Sequence, residues 1–335
     1  MTSEQKTAVT SSLSPQKPTR TLRDYISLTL RGMAMGASDI VPGVSGGTMA
    51  LILGIYEELI DSIRMIGQPE FFRAALQFRI KDALNILNWE FMVAVSLGIG
   101  LAILTLSHLL EQLLVNQPVY LWSFFFGLVL ASVLIVSKRI KHWTPPLAGI
   151  LIVGAAASFV LVGLVPARTP ETWWFLFLSG ALAICAMILP GISGAFILVL
   201  LGKYEYVLSA VNDREIFTLA LVAAGAVVGL VTFAQILSWL FKKYHDGTVA
   251  LLIGLMMGSL RKVWPWKKDE AWLIHADGSY VLDSFGERIV TQQADILPAL
   301  STNADMIEFT AAVGLAVIGF GIIVALDRLA GSRKG

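Results

Sequence analysis

A Pro-Gly-x-Ser-Gly motif occurs twice in the chain, and its residues have the chemistry of an anion site. The first copy lies within residues 40–48 and the second within 188–196, each surrounded by apolar sequence. Proline and paired glycines interrupt a helix and leave backbone N–H groups that lipid cannot satisfy, so such a break is tolerated only where it is buried in protein or lines a wet cavity. Two broken segments at matching places in a membrane protein therefore predict a binding site near the bilayer midplane.

The helix that follows each break is expected to point unpaired N–H groups and the positive end of its dipole into the membrane. Nearby hydroxyl groups could act as helix caps or as ligands. The groups concerned are Ser45, Gly46, Gly47 and Thr48 in the first motif, and Ser193, Gly194 and Ala195 in the second. Two such helix starts could converge on one phosphate or carboxylate.

Charged residues are concentrated around the first motif. Arg31 lies on the incoming helix, where an unpaired cation is costly, so it is a candidate partner for an anion; the alternatives are a snorkelling position at the interface and a pair with Asp39. Asp39 either carries a coupling proton or sodium ion or orients the loop by accepting backbone N–H groups. Glu57 and Glu205 recur near the opening of each broken segment, and we favour an interfacial carboxylate that pairs with a neighbouring span over a transport role.

Composition places the chain among polytopic helical membrane proteins. Of its 335 residues, 56% are hydrophobic and 15% are charged, and the mean hydropathy is +0.72, which is too apolar for a soluble domain. Residues 1–21 are polar and are interpreted as a disordered cytoplasmic tail. No metal-ligand spacing and no nucleotide fingerprint occur, so neither a cofactor nor a nucleic-acid partner is predicted.

Two kinds of membrane element are predicted. Plain spans are expected at about 91–114, 119–137, 146–165, 216–241, 248–264 and 306–329. The broken segments, 25–65 and 173–211, would each measure about 60 Å as one rod, roughly twice the hydrocarbon thickness. Each is therefore predicted to fold back as a re-entrant helical hairpin.

The repeat continues beyond the motifs, since Gly98 and Thr105 match Gly225 and Thr232. The predicted fold is an all-α polytopic membrane protein of two repeats, 22–166 and 172–330, each with a re-entrant hairpin and three transmembrane helices. An odd number of crossings inverts the second repeat relative to the first. The first repeat has an additional segment at about 67–89, for which an interfacial helix and an ordinary linker helix are equally supported.

The distribution of basic residues predicts the orientation. Most Lys and Arg residues fall on the side of the N-terminus, including those at 73–81, 138–141 and 242–243. The positive-inside rule then places both termini in the cytoplasm and a long loop, 261–305, outside.

These residues carry a family resemblance. Residues 31–48, RGMAMGASDIVPGVSGGT, are followed by Gly54-Ile55-Tyr56, and the second copy, residues 189–194, is followed by Gly202-Lys203-Tyr204. Over most of residues 22–330 the chain resembles the polyprenyl-phosphate transporter family. The resemblance implies a multi-pass protein of the bacterial inner membrane that flips undecaprenyl phosphate, the lipid carrier of cell-wall and surface polysaccharides, from the outer to the cytoplasmic leaflet. It also implies head-group contacts at Arg31, Ser45, Gly46, Thr48, Ser193 and Gly194.

Two other functions are kept as alternatives. A lipid-phosphate phosphatase would need a general acid or base and usually a metal or nucleophile beside the phosphate, and neither loop carries a nearby His. A transporter of a small soluble anion would need only the hairpin dipoles. We expect a transporter rather than an enzyme, with undecaprenyl phosphate and membrane lipid as partners. The coupling ion and the oligomeric state, a homo-oligomer included, are left open.

Overall fold

The computed structural model describes residues 20–40, 45–167, 169–274, 278–282, 286 and 288–331. Within these ranges the chain forms fourteen helices and two strands. The first half contains α1 (Leu22–Ile40), α2 (Gly46–Ile52), α3 (Tyr56–Ile66), α4 (Pro69–Leu76), α5 (Ile80–Ile86), α6 (Trp89–Asn116), α7 (Pro118–Ser137) and α8 (Pro145–Leu161). The second half contains α9 (Trp173–Ile188), α10 (Gly194–Leu200), α11 (Tyr204–Asn212), α12 (Ile216–Lys243), α13 (His245–Ser259), β1 (Lys267–Trp272), β2 (Val290–Asp295) and α14 (Asn303–Gly331).

The helices confirm the all-α polytopic fold class. The helices α6, α7, α12 and α14 are long and apolar enough to cross a membrane. The bent pair α10 and α11 meets the same test when its two helices are counted together, and α8 and α9 are shorter apolar helices. Large apolar side chains such as Leu104 and Val317 are exposed on the outer faces of these helices, as expected where a protein meets lipid.

The long helices pack in pairs, both within each half of the chain and between the halves. Within the halves, α1 packs along α6 and α9 packs along α12. Between the halves, α7 packs along α14 and α8 packs along α13. Small residues allow these approaches, because a Cβ at Gly36 or Gly229 would press on the facing helix at 2.8 and 2.7 Å from a backbone atom.

Each broken segment consists of three helices rather than the two of a simple hairpin. The short second helix ends at a Leu-Gly turn, where Gly54 has φ +72° and Gly202 has φ +61°. A positive φ closes a helix C-terminus and is readily adopted only by glycine. The third helix then starts in a new direction, at 110° between α10 and α11. Glu57 and Glu205 consequently lie in the first turn of a third helix and not far along the second.

Two connecting segments differ from the sequence-based expectation. The segment 67–89 forms two short helices, α4 and α5, separated at Phe78, which has φ +53°. The loop 261–305 contains the antiparallel pair β1 and β2, with Lys267 opposite Asp295. Of the predicted tail 1–21, only Arg20 and Thr21 lie within the described residues, and the Arg20 guanidinium pairs with Glu58 at 2.5 Å.

Candidate functional site

The two motifs are in contact with each other through hydrogen bonds. Gly191 N donates a hydrogen bond to Thr48 Oγ1 at 2.8 Å. Ser45 Oγ lies 3.3 Å from Met187 O and 3.2 Å from Leu189 O, so its single proton is shared between two carbonyl groups. The start of α2 in the first broken segment is therefore in direct contact with residues 187–191 of the second.

A tyrosine at the start of α3 strengthens this junction. Tyr56 is almost fully buried, and its hydroxyl donates to Ile188 O at 3.2 Å. Its ring packs edge-on against Phe241 of α12, with 5.9 Å between centroids. Tyr56 is not among the site residues predicted from the sequence, although its recurrence as Tyr204 beside the second motif is a usable signal.

In the first motif, the N–H groups at the start of α2 are hydrogen-bonded within the chain. Ser45 is the N-cap of α2, and its side chain accepts a hydrogen bond from Gly47 N at 3.1 Å. Asp39 Oδ1 accepts from Gly46 N at 2.7 Å, and Ser45 O accepts from Thr48 N at 2.9 Å. The first three N–H groups of α2 thus all have acceptors within the chain. Asp39 accepts a backbone N–H group, as expected for a carboxylate that orients the loop. Residues 41–44, at the tip itself, lie outside the described residues.

In the second motif, the N-terminus of α10 has fewer hydrogen-bond partners and is more exposed. Ser193 is the N-cap residue of α10, and its side chain makes no capping hydrogen bond. Within the described part of the chain, no acceptor pairs with the N–H groups of Gly194 or Ala195. Ser193 and Gly194 are half-buried, whereas Ser45 and Thr48 are each only 1% exposed. The polar groups that remain available to an anion therefore lie mainly in the second motif.

Close packing explains the glycines of both motifs. A Cβ at Gly47 would overlap Ile188 O, and one at Gly194 would lie 2.7 Å from Ala183 O. Gly191 has φ +89°, and a Cβ there would lie 2.5 Å from Ser259 Oγ. A side chain at Gly47 would push the two broken segments apart, one at Gly194 would separate α10 from α9, and one at Gly191 would displace the second motif from α13.

The predicted charged residues lie at different depths. Arg31 is half-buried on α1, and the helical rise places it about 12 Å before Asp39 along the axis. Glu57 Oε1 lies 3.5 Å from His245 Nε2, at the start of α13, and both side chains are about half exposed. This places the Glu57 carboxylate beside a neighbouring span. Glu205 lies in the first turn of α11.

A second polar link between the halves was missed by the sequence analysis. Asp61 Oδ1 accepts a hydrogen bond from Ser238 Oγ at 2.5 Å and lies 3.5 Å from Lys242 Nζ and from Arg64 Nε. These contacts tie α3 to α12. No repeat or motif in the sequence singles out Asp61, because its partners come from another part of the chain.

Comparison with known proteins relates the chain to a family of undecaprenyl phosphate translocase-like proteins. Residues 35–281 match the family model described as undecaprenyl phosphate translocase-like. The chain is 43% identical over 258 residues to a polyprenyl-phosphate transporter of Vibrio cholerae serotype O1, an alignment that covers 77% of this chain and 83% of the relative. It is 32% identical over 257 residues to a polyprenyl-phosphate transporter of Staphylococcus aureus, with 70% of this chain and 85% of the relative covered. No solved structure matches the chain.

Proposed function

Because this chain belongs to the undecaprenyl phosphate translocase-like family, we propose that it flips undecaprenyl phosphate from the outer to the cytoplasmic leaflet of a bacterial inner membrane. The observation that carries the proposal is the contact of the two motifs through Gly191 N and Thr48 Oγ1. This contact brings interrupted backbone from both halves to one place inside an apolar molecule. A lipid with one anionic group needs such a polar crossing point.

The shape of the substrate suits a polar centre surrounded by apolar helices. The phosphate head carries the charge and is costly to move through hydrocarbon, whereas the polyprenyl tail is apolar and stays in lipid. Only the head then has to pass the motifs. The protein consequently needs a small polar site and not a cavity that encloses the whole lipid.

We assign the head-group contacts to Arg31 and to the two motifs, namely Ser45, Gly46, Gly47, Thr48, Ser193 and Gly194. Of the two motifs, the phosphate would meet the second one first, because Ser193 caps no helix N–H group there and the N–H groups of Gly194 and Ala195 have no acceptor within the described residues. Binding at the first motif would require an exchange of acceptors. The phosphate would replace the Asp39 carboxylate at Gly46 N, where the hydrogen bond now measures 2.7 Å.

This exchange suggests how an ion gradient could drive transport. A proton or sodium ion bound to Asp39 would neutralise its carboxylate and weaken its hold on Gly46 N. The freed N–H group would then be available to the phosphate, so that ion binding and substrate binding favour one another. Glu57 and Glu205 are retained as loop-orienting or ion-binding carboxylates, and the Glu57–His245 contact supports pairing of Glu57 with a neighbouring span.

The proposed direction of transport uses the orientation inferred from the basic residues, with both termini in the cytoplasm. In that orientation the strands β1 and β2 lie on the outer face, and Lys242 lies on the inner face beside Asp61. Substrate would enter on the side of the strands and leave on the side of the termini.

The decisive experiment is leaflet-resolved translocation of undecaprenyl phosphate in proteoliposomes under imposed proton or sodium gradients. We expect protein-dependent, gradient-stimulated movement of intact lipid. Release of inorganic phosphate from the lipid would instead indicate a phosphatase. Uptake of a soluble anion that the lipid does not inhibit would indicate a transporter of small anions.

A further inference from the structure

A small cavity with a basic wall lies on the face of the molecule that carries the two strands. It measures about 50 Å³ and is formed where the end of α8, the segment after α13 and the two strands come together. The charged residues that line it are Arg261, Lys262, Lys267 and Asp295. Three cations thus share a small space with one carboxylate.

The one carboxylate that lines this cavity is directed to the arginine. Asp295 Oδ2 lies 3.6 Å from Arg261 Nε. Among the described residues, no carboxylate forms an ion pair with Lys262 or Lys267. Lys267 Nζ donates one hydrogen bond to Lys262 O, which leaves further N–H donors on each ammonium group. The two lysines are therefore held near one another, and no described carboxylate lies within ion-pair distance of either ammonium group.

Burial makes two charged ammonium groups costly when no anion is bound beside them. It lowers the pKa of Lys262, and the pKa of Lys267 falls to about 7, chiefly through burial and secondly through the charge of Lys262. Asp269 and Asp295 oppose these shifts without cancelling them. An anion in the cavity would stabilise both charged ammonium groups.

The surroundings of the lysines are aromatic. Lys267 Nζ lies 4.6 Å from the ring centroid of Trp122, and Lys262 Nζ lies 5.3 Å from that of Phe196. Between the two lysines in sequence, Trp264 and Trp266 stack edge-on with 5.7 Å between centroids. Tryptophan is enriched at the boundary between lipid and water, which favours a position of the cavity at the depth of lipid head groups.

The cavity is also connected to the second motif. Phe196, beneath Lys262, lies in α10 only three residues beyond Ser193. Gly191 faces Ser259, the last residue of α13 and three residues before Lys262. The segment from Ser259 to Lys262 therefore runs along the second motif and ends at the cavity.

We propose that Arg261, Lys262 and Lys267 form a capture site for the phosphate monoester head of a membrane lipid, occupied before the head reaches the two motifs. The inference rests on the proposed function, because it assigns the first binding step of that transport. Lys262 and Lys267 provide the charge, and the tryptophans hold the adjacent part of the lipid at the interface. Arg261 positions the wall through Asp295 and through a hydrogen bond from Nη1 to Phe159 O at 3.2 Å.

The test compares Lys262→Gln, Lys267→Gln and their double variant with Lys268→Gln, an exposed neighbour on β1. Undecaprenyl phosphate is titrated into the full chain in detergent, and the initial translocation rate is measured against lipid concentration. Each lysine variant should weaken lipid binding about tenfold, since a charge-assisted hydrogen bond is lost. The double variant should need more lipid for half-maximal rate while its maximal rate is retained, and Lys268→Gln should behave as the unaltered chain.

Further measurements separate the explanations. Lys262→Arg should retain binding, and equal thermal unfolding of all variants shows that they fold. Inorganic phosphate is the second probe: if it binds as tightly as the lipid and displaces it completely, the site takes a free anion and the lipid assignment is overturned. Unchanged lipid binding in the double variant overturns the site, whereas lysine-dependent binding without translocation supports the site and overturns the proposed transport.

Discussion

Thr48 Oγ1 accepts a hydrogen bond from Gly191 N at 2.8 Å, which joins the two motifs through a single hydroxyl group. Both groups are buried, so the N–H group has no access to water if the hydroxyl is removed. Thr48→Val keeps the shape of the side chain and removes the acceptor. We expect a loss of about 1–3 kcal/mol in the free energy of unfolding, measured in detergent, because a buried donor is left unpaired. Thr48→Ser keeps the hydroxyl and is the control, and equal stability of the two variants would contradict the role of this bond.

Gly191 is expected to reject any side chain. Gly191→Ala places a Cβ at φ +89° and 2.5 Å from Ser259 Oγ, so we expect a loss of about 1–3 kcal/mol in stability together with slower translocation. Gly314→Ala in α14 is the matched control, because no atom outside its own helix lies within 4 Å of the added Cβ. If both variants unfold at the same temperature, the close approach at Gly191 does not constrain the junction.

Arg31 is predicted to supply charge for the head group. Arg31→Ala should abolish recycling of the lipid carrier while membrane insertion is retained, because it removes a half-buried cation on α1 that we propose to pair with the phosphate. The readout is the sensitivity of cells to externally applied agents that sequester the carrier, with protein levels in the membrane as the control. Unaltered sensitivity at equal protein levels would reject this role.

Asp39 allows the effect of charge to be separated from the effect of hydrogen bonding. Asp39→Asn keeps an oxygen that can accept from Gly46 N, now at 2.7 Å, but removes the ionisable group. We expect a folded protein whose translocation no longer responds to an ion gradient. Asp39→Ala removes the acceptor as well and should also lower stability, by about 1–3 kcal/mol. Full gradient dependence in the Asn variant would show that Asp39 only orients the loop.

The capture cavity predicts a pH dependence. Burial and the neighbouring Lys262 lower the pKa of Lys267 to about 7, while Asp269 and Asp295 act in the opposite direction. Lys267 is therefore charged below about pH 7 and loses its charge as the pH rises through that value, so binding of an anionic lipid should weaken between about pH 6.5 and about pH 8. A phosphate monoester gains negative charge near about pH 6, which acts in the opposite direction and cannot cause this decline.

The control for the pH dependence is Lys267→Arg. Arginine stays charged throughout this range, so the decline in binding above about pH 7 should disappear. Lipid binding is measured by titration at fixed ionic strength, since charge-dependent binding also falls with salt. A decline of the same size in the Arg variant would assign the titration to another group.

The span boundaries were predictable where apolar length and the end of the element coincide. The helix α12 runs from Ile216 to Lys243, against a predicted 216–241, and α6 covers the predicted 91–114. The helix α13 ends at Ser259 and not at 264, because the predicted span included the charged Arg261 and Lys262, which instead form turns toward the strands. Hydropathy along the chain therefore overestimates the length of a helix when the residues after its end line a polar cavity.

The sequence by itself determined the class of the protein, the two breaks and the residues grouped around them. Apolar length, Pro-Gly interruptions and glycine turns act locally, through the cost of unpaired backbone in lipid and through the steric limits on φ. The inverted arrangement of the two repeats stays a prediction from the sequence.

Only the tertiary structure decided which polar groups of the two motifs already have hydrogen-bond partners within the chain. Asp39 and Ser45 satisfy the first helix start, Thr48 binds the second motif, and the second motif keeps its unpaired N–H groups within the described residues. The cavity with Lys262 and Lys267 likewise draws its walls from α8, the end of α13 and both strands. Such contacts join distant parts of the chain, and they depend on how helix faces pack in three dimensions, which no local pattern of residues encodes.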